Sequence, residues 1–511
     1  MDIEITEQFQ KAIDLIERSN RNVFITGRAG TGKSTLLRYL RTITCKKAVV
    51  LAPTGVSALN VQGQTIHSFF RFKPDITIDK VKKIVKKTAD NIYQKIDTII
   101  IDEISMVRAD LLDCVDRFLR LNCVTTSPFA GKQMVFFGDP YQLPPVITPA
   151  ERRIFKSRYP TGYFFSAAVM NKISFDIVEL DRIFRQSDEG FIKILNSIRN
   201  NTVTDEMLDE LNTRCIPEFE PDEKSFFISL TTKNDKALAM NEKMLAKLPG
   251  KEYTFEADIK GKFEKATYPT DEILRLKENA QVMLLNNDQQ KRWVNGSIGR
   301  IDVLVPEGDA IIVQLIGGKT VDVTPCEWDI FRYVYNEYTD QIETEQVGSF
   351  KQYPLRLSWA VTIHKAQGKT FDNVILDIGA GAFTPGQVYV GLSRCVSLEG
   401  LVLKKKIRKQ DIFIDWNVVK FMTEYRYAIS EKEMPLDRKI EIIKDAIKKK
   451  RELEIIYLKK NDEKSVRIIR PECVGNMEFM GKNFTGIRAF CRKSNEERTF
   501  RVDRILSLNP I

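Results

Sequence analysis

The run Gly27-Arg-Ala-Gly-Thr-Gly-Lys33-Ser34 concentrates phosphate chemistry in one short segment. Gly27, Gly30 and Gly32 let backbone N–H groups close around phosphate oxygens. A helix starting near Lys33 would add the positive end of its dipole. Lys33 can neutralise β- and γ-phosphates, and Ser34 can bind Mg²⁺. The pattern G-x-x-x-x-G-K-[ST] between a strand and a helix is that of a phosphate-binding loop, with Ala29, Thr31 and Thr35 completing the cradle. Two carboxylates follow in Ile99-Ile-Ile-Asp102-Glu103. At the end of a buried strand, Asp102 would hold Mg²⁺ through water and Glu103 would polarise an attacking water. In Gly138-Asp-Pro-Tyr-Gln142-Leu-Pro-Pro-Val146, Gln142 has the neutral hydrogen-bonding chemistry that orients water or reports the γ-phosphate. Arg185, in Arg182-Ile-Phe-Arg185-Gln186, and Arg394, in Tyr389-Val-Gly-Leu-Ser-Arg394, are candidate arginine fingers. Taken alone, an arginine is more often a surface charge.

These residues need a scaffold. Thr6 to Arg18 reads as a helix: Thr6 can cap it, and Phe9, Ala12, Ile13 and Ile16 recur at 3.6-residue spacing. Short apolar strands are expected at Asn22–Thr26, Ala48–Ala52, Thr98–Asp102, Gln133–Phe137 and Ile177–Leu180. Strands alternating with helices predict an α/β fold with a mostly parallel sheet. The pattern resumes with strands Ser225–Leu230 and Asn373–Ile378 and a helix Ala237–Lys247. Between them, Phe255 to Phe350 turns β-rich, with runs Gln281–Leu285, Ile298–Val305 and Ala310–Leu315 separated by Gly- and Asn-containing turns. That predicts a small β-barrel inserted into a second α/β lobe. A charged helix, Asp437–Arg451, leads into another β-rich unit, Leu453 to Leu508.

With 511 residues, three or four folding units are expected. The start MDIEITEQFQKAIDLI lacks the basic and apolar regions of a secretory signal, and no apolar run approaches the roughly 18 residues of a membrane span. The expectation is an intracellular protein with no membrane partner. None of the eight cysteines forms a C-x-x-C pair, and His67 and His364 are the only histidines, which disfavours a zinc cluster. The net charge of +10 suits a polyanionic partner. Its distribution is uneven: from Arg438 onward there are 19 Lys and Arg against 11 Asp and Glu, so the C-terminal segment carries most of the surplus.

The segments GRAGTGKST, APTGVSALNVQGQTIHSFF, IIIDEISMV, PFAGKQMVFFGDPYQLPPV, LDRIFRQ, WAVTIHKAQGKTFDNV and VYVGLSRCVSLEGL resemble, in order, those of the Pif-type (petite integration frequency) helicases. That family lies in the RecD-like 5′→3′ branch of helicase superfamily I. The likeness covers Thr6 to Lys406 and departs at Ala130-Gly131, where the family has a double glycine. It implies two RecA-like P-loop lobes (1–185, then 186–254 with 351–436), an SH3-like barrel at 255–350, and a wedge element at about 69–80. It implies ATP with Mg²⁺, Gln8 reading adenine, and single-stranded DNA crossing both lobes. Pro53, Thr54, His67, Thr362, His364 and Gln367 match the family's DNA positions. Phe69, Phe70 and Phe72 either meet bases or pack as core. Residues 437–511 resemble a WYL domain, although the namesake tripeptide is Ile456-Tyr457-Leu458; Arg470, Arg492, Arg501 and Arg504 are its candidate ligand residues.

The expected activity is an ATP-dependent DNA helicase in replication, repair, recombination or telomere-type maintenance. Its partners would be single-stranded and tailed or forked duplex DNA, with G-quadruplex or RNA–DNA hybrid as further substrates. A monomer in a bacterial cytoplasm is the expected setting. The alternative is a nucleotide-controlled DNA-binding switch that does not unwind; a ligand-sensing regulator built on the C-terminal unit is a third reading.

Overall fold

The computed structural model describes residues 4–84, 92–147, 151, 155, 157–186, 188–222, 225–304, 310–379, 381–479 and 481–511. Val305, the expected end of one strand, lies outside them. The chain divides into two compact units, Met1–Asn196 with Thr204–Ile412, and Ser197–Val203 with Phe413–Ile511.

The first unit opens with helix α1 (Glu7–Arg18), whose N-cap Thr6 accepts the Phe9 N–H at 3.2 Å. This cap satisfies one of the donors a helix start leaves unpaired. Its apolar stripe of Phe9, Ala12, Ile13 and Ile16 is buried, as the spacing requires. Strands β1 (Asn22–Gly27), β2 (Ala48–Ala52), β3 (Gln64–Thr65), β4 (Thr98–Ile101), β5 (Gln133–Phe137) and β6 (Phe175–Leu180) form one sheet in the order β3-β2-β4-β5-β1-β6. Every pairing in it is parallel. The loops leaving β1, β4 and β5 therefore emerge at the same edge, which is how α/β sheets assemble ligand sites. Helix α2 (Lys33–Ile43) buries Leu36, Leu37 and Leu40 in the core that also holds Val23, Ile25 and Phe137.

A second parallel sheet has four strands in the order Ala360–Thr362, Ile228–Thr231, Val374–Asp377, Leu401–Leu403. The β-rich insertion carries a five-stranded antiparallel sheet of Thr320–Val323, Ile311–Leu315, Ile298–Leu304, Gln281–Leu284 and Leu355–Leu357. Val282, Leu284, Ile301, Val313 and Leu355 form its core. A long hairpin, Cys326–Asn336 with Gln341–Gln352, extends from it and was not anticipated from the sequence. Its Tyr333 hydroxyl accepts the Val50 N–H at 3.0 Å, and its Asp340 pairs with Lys47 at 2.6 Å.

The second unit contains helices Trp416–Glu433 and Leu436–Lys449 and a five-stranded antiparallel sheet ordered Glu496–Arg501, Lys482–Cys491, Lys464–Phe479, Leu453–Leu458, Ile505–Pro510. Ile443 and Ala446 on the second helix pack with Ile455, Ile469, Ile487 and Phe500 of the sheet. The Lys439 ammonium is buried against the Ser430 hydroxyl at 2.7 Å. Among the described residues no helix is long and apolar enough to cross a membrane.

Candidate nucleotide and nucleic-acid site

A cavity of about 570 Å³ opens where the first sheet's loops meet the second lobe. The glycine-rich loop forms one wall from Ala29 to Thr35, and Glu103, Gln142, Arg185, Gly368 and Arg394 form others. The loop's shape depends on left-handed backbone: Gly30 has φ +80° and Gly32 +85°. A Cβ on Gly30 would lie 2.5 Å from Arg185 Cβ, and one on Gly32 2.9 Å from the Phe9 ring. Lys33 Nζ donates to the Gly27 and Arg28 carbonyls at 2.7 and 2.9 Å, which bends the ammonium back over the loop. Tyr389, from helix Gln387–Leu392 of the second lobe, accepts the Ala29 N–H on its hydroxyl at 3.0 Å. The sequence motif displayed that tyrosine but gave no signal for this contact.

Glu103 follows β4 with φ +48°, an uncommon conformation for a residue with a side chain, and such strain gathers at functional positions. Burial raises both the Asp102 and Glu103 carboxyls above the usual carboxylate range; the neighbouring Glu103 charge pushes Asp102 further, while Lys33 and Arg394 pull Glu103 back. Asp102 is 7% exposed and, unlike Glu103, is not part of the cavity wall. Gln142 is buried and donates to Asp139 Oδ2 at 3.4 Å.

Gln367 was expected on the DNA side. The structure turns its amide to the nucleotide side instead, donating to Glu103 Oε2 at 3.1 Å and Gln142 Oε1 at 3.2 Å. Arg185 donates to the Gly368 carbonyl at 3.1 Å. Arg394, only 1% exposed, donates to the Val390 and Lys369 carbonyls and the Ser393 hydroxyl. Burial and the nearby Arg185 charge pull the Arg394 guanidinium down to about 9. A buried guanidinium, a half-buried one and a lysine around one cleft suit a polyanion, whose charge repays their desolvation.

Phe184, 47% exposed, also lines the cavity and offers a face on which a base can stack, whereas Phe9 reaches the wall from the core and is 2% exposed. Gln8, the expected adenine reader, is half-buried one residue away and is not part of the wall. The apolar periodicity marked Phe9 only as a core position. Phe184 was visible inside the Arg182–Gln186 run without a role.

Of the residues expected to contact DNA, Pro53 and Thr54 are half-exposed, and the Thr54 hydroxyl caps helix α3 (Gly55–Asn60) by accepting the Ser57 N–H at 3.2 Å. His67 and His364 are half-buried, and burial lowers both below the ordinary histidine value, with Arg108 adding to the effect at His67. Neutral imidazoles offer directional hydrogen bonds rather than charge. Phe69, Phe72 and Thr362, also expected to contact DNA, are buried. Phe69 and Phe72 are 5% and 9% exposed, and with Phe70, Tyr93 and Phe118 they form an aromatic cluster. Edge-to-face and stacked packing has taken up the ring faces that stacking on bases would need. Thr362 is 3% exposed, and its hydroxyl accepts the Lys365 N–H at 3.4 Å, so it shapes the loop instead of meeting a ligand. In the second unit, Arg492 pairs with Glu452 and Arg501 with Asp503, while Arg470 lies over the Phe490 ring.

Comparison with known proteins agrees with this geometry. The PIF1-like helicase family profile matches residues 3–208, and the WYL domain profile matches residues 438–510. The ATP-dependent DNA helicase Pif1 of Bdellovibrio bacteriovorus is 32% identical over 435 residues, covering 83% of this chain and 93% of that relative. The human ATP-dependent DNA helicase PIF1 is 33% identical over 391 residues, covering 75% of this chain; the chain spans 58% of that longer protein. Among solved structures, Bacteroides sp Pif1 in complex with ADP-AlF4 shares 38% identity with a TM-score of 0.77, covering 83% of this chain and 98% of that one. The complex of Bacteroides Pif1 with ADP-AlF3 and ssDNA gives 39% identity, a TM-score of 0.61 and the same coverage. The chain, with two RecA-like lobes and a WYL domain at its C-terminal end, belongs to the PIF1-like helicase family.

Proposed function

We propose that this chain is an ATP-dependent DNA helicase that moves 5′→3′ along single-stranded DNA and separates duplex ahead of it. The observation that carries this reading is the convergence of the first lobe's phosphate loop and the second lobe's Arg394 on one cleft. Such an arrangement makes lobe closure and triphosphate turnover depend on each other. In this reading, Phe184 holds the base and the loop N–H groups hold the phosphates. Lys33 leaves its carbonyl partners for the β- and γ-phosphates. Glu103, oriented by Gln367, accepts the proton of the attacking water, while Gln142 fixes that water's position. Arg185 and Arg394 face the charge that develops on the transferred group.

The donor set fits Mg²⁺. Ser34 supplies a hydroxyl at a helix start, and Asp102 supplies a carboxyl next to Glu103 in the chain. Among the described residues no cluster of three His, Cys, Asp or Glu could hold a metal without the nucleotide. Hard oxygen donors shared between protein and phosphates are the usual Mg²⁺ arrangement. The ion would supply charge neutralisation on the phosphate oxygens.

Pro53, Thr54, His67 and His364 remain the proposed DNA contacts. Residues 255–350 are proposed as the SH3-like barrel of the second lobe, supported by the antiparallel sheet there. Tailed or forked duplex is the proposed substrate, G-quadruplex or RNA–DNA hybrid a further one, and a monomer in a bacterial cytoplasm the proposed form. The test is strand separation by the purified chain on duplexes carrying either a 5′ or a 3′ single-stranded tail, with ATP and Mg²⁺. Unwinding of the 5′-tailed substrate alone is expected. DNA-stimulated hydrolysis without separation of either would instead establish a nucleotide-controlled binding switch.

A further inference from the structure

Three consecutive residues after the TIHKA run hold different parts of the catalytic cleft. The Gln367 amide contacts Glu103 and Gln142, the Gly368 carbonyl receives Arg185, and the Lys369 carbonyl receives Arg394 at 3.2 Å. The next turn is laced to the same arginine, because Phe371 N–H donates to the Arg394 carbonyl at 2.9 Å. The Lys369 carbonyl is thus one of three anchors of the Arg394 guanidinium, beside the Val390 carbonyl and the Ser393 hydroxyl, and the one that comes from outside its own helix segment.

The Lys369 side chain leaves this cleft in the opposite direction. Its ammonium donates to Asn295 Oδ1 at 3.1 Å and lies 3.2 Å from Met283 Sδ, both in the inserted β region. Gly296, next to Asn295, faces the Lys369 side chain: a Cβ there would lie 3.5 Å from Lys369 Cβ, in ordinary van der Waals contact. The same Asn295 side chain donates through Nδ2 to Asn60 Oδ1 at 3.4 Å, at the end of α3 in the first lobe. The Asn295 backbone N–H is fixed in turn by Asn287 at 2.9 Å. One amide thus joins three parts of the unit: the first lobe's α3, the inserted β region and the second lobe's catalytic segment.

We propose that Asn295 and Lys369 form a positioning couple that transmits the placement of the inserted β region, and of α3, to the Arg394 guanidinium. The inference deepens the helicase reading and rests on it. Neither residue touches the nucleotide; both act through the Lys369 carbonyl. If the inserted region or α3 shifts when DNA binds, the Asn295 amide moves, and the arginine's anchor moves with it. Such a link makes hydrolysis responsive to what the β region contacts, without a side chain of that region entering the cleft.

The experiment is a double-mutant cycle on steady-state ATP hydrolysis by the full chain, with saturating oligo-dT and without it. Lys369→Met keeps the length and packing of the side chain and removes its donor. Asn295→Ala removes the acceptor from a half-exposed turn and keeps the test available if Lys369→Met folds poorly. Each substitution is expected to lower DNA-stimulated kcat about tenfold while leaving KM for ATP within about twofold, with the thermal midpoint of Asn295→Ala close to the parent's. The double variant is expected to match the single ones. Losses that multiply, losses confined to KM, or an unchanged kcat in folded Asn295→Ala would overturn the proposal. Absence of DNA-stimulated hydrolysis in the parent chain would instead sink the helicase reading on which it rests.

Discussion

Glu103 carries the most chemistry of any single side chain here. It sits in a left-handed conformation, is held by Gln367, and is flanked by Lys33 and Arg394. Glu103→Gln keeps the shape and removes the base, and turnover is expected to fall by about 10²–10⁴ with nucleotide binding retained. Single-turnover hydrolysis beside equilibrium binding of a fluorescent ATP analogue separates the two. Lys33→Ala removes the phosphate counter-charge and should abolish turnover in a protein whose circular dichroism is unchanged; persistent hydrolysis would refute the loop assignment. Lys369 gives a pH prediction. Burial, and after it the Arg356 charge, pull its ammonium down to about 7 from an ordinary 10.5. Between those values the unfolded chain binds the proton and the folded chain does not. The lysine's contribution to stability therefore rises with pH from 7 towards 10.5. Lys369→Met should be most stabilised relative to the parent at or below pH 7 and lose that advantage by about pH 10, as denaturant midpoints at the two ends would show.

At the scale of elements, the short helix α4 (Ile66–Phe70) shows packing overriding a functional expectation. Phe70 is fully buried, with Phe118 at 5.3 Å edge-to-face and Phe72 stacked at 5.5 Å. Phe70→Ala should cost about 3–5 kcal/mol of stability. The folded fraction should retain its affinity for single-stranded DNA, which a filter-binding titration below the unfolding transition would reveal. A large loss of affinity in a fully folded variant would restore the base-stacking reading. The loop before helix Gln387–Leu392 makes a second element-scale point. Gly386 has φ +73°, and a Cβ there would meet the Tyr141 carbonyl at 2.5 Å. This is backbone-to-backbone contact between the lobes, beside Gln142. Gly386→Ala should push the lobes apart at that point and weaken ATP turnover far more than the equivalent change at Gly131, whose Cβ would meet nothing.

For the molecule as a whole, the uneven charge bears on how the proposed DNA partner would be held. The surplus of +10 is concentrated after Arg438, in the unit with the WYL domain. Affinity for single-stranded DNA should fall linearly with salt on logarithmic axes, by about 0.7 in slope for each phosphate neutralised. Reversing Arg470 and Arg504 to Glu should flatten that slope if the second unit contributes phosphate contacts. An unchanged slope would confine the contacts to the first unit.

What the sequence determined by itself was local. The parallel strands, the phosphate loop and the paired carboxylates after β4 were legible because each is written in contiguous residues whose periodicity or spacing has one physical meaning. Thr6 and the apolar stripe behind it placed α1 for the same reason. Tertiary structure alone decided which side of the cleft Gln367 faces, and that Phe69, Phe72 and Thr362 are buried. It also decided that the Tyr389 hydroxyl meets Ala29 across 360 positions, and that Asn295 touches two lobes at once. Such contacts join residues far apart in the chain. A side chain's type states what it can donate or accept, whereas its partner is fixed only once the sheets have packed and brought distant backbone within reach.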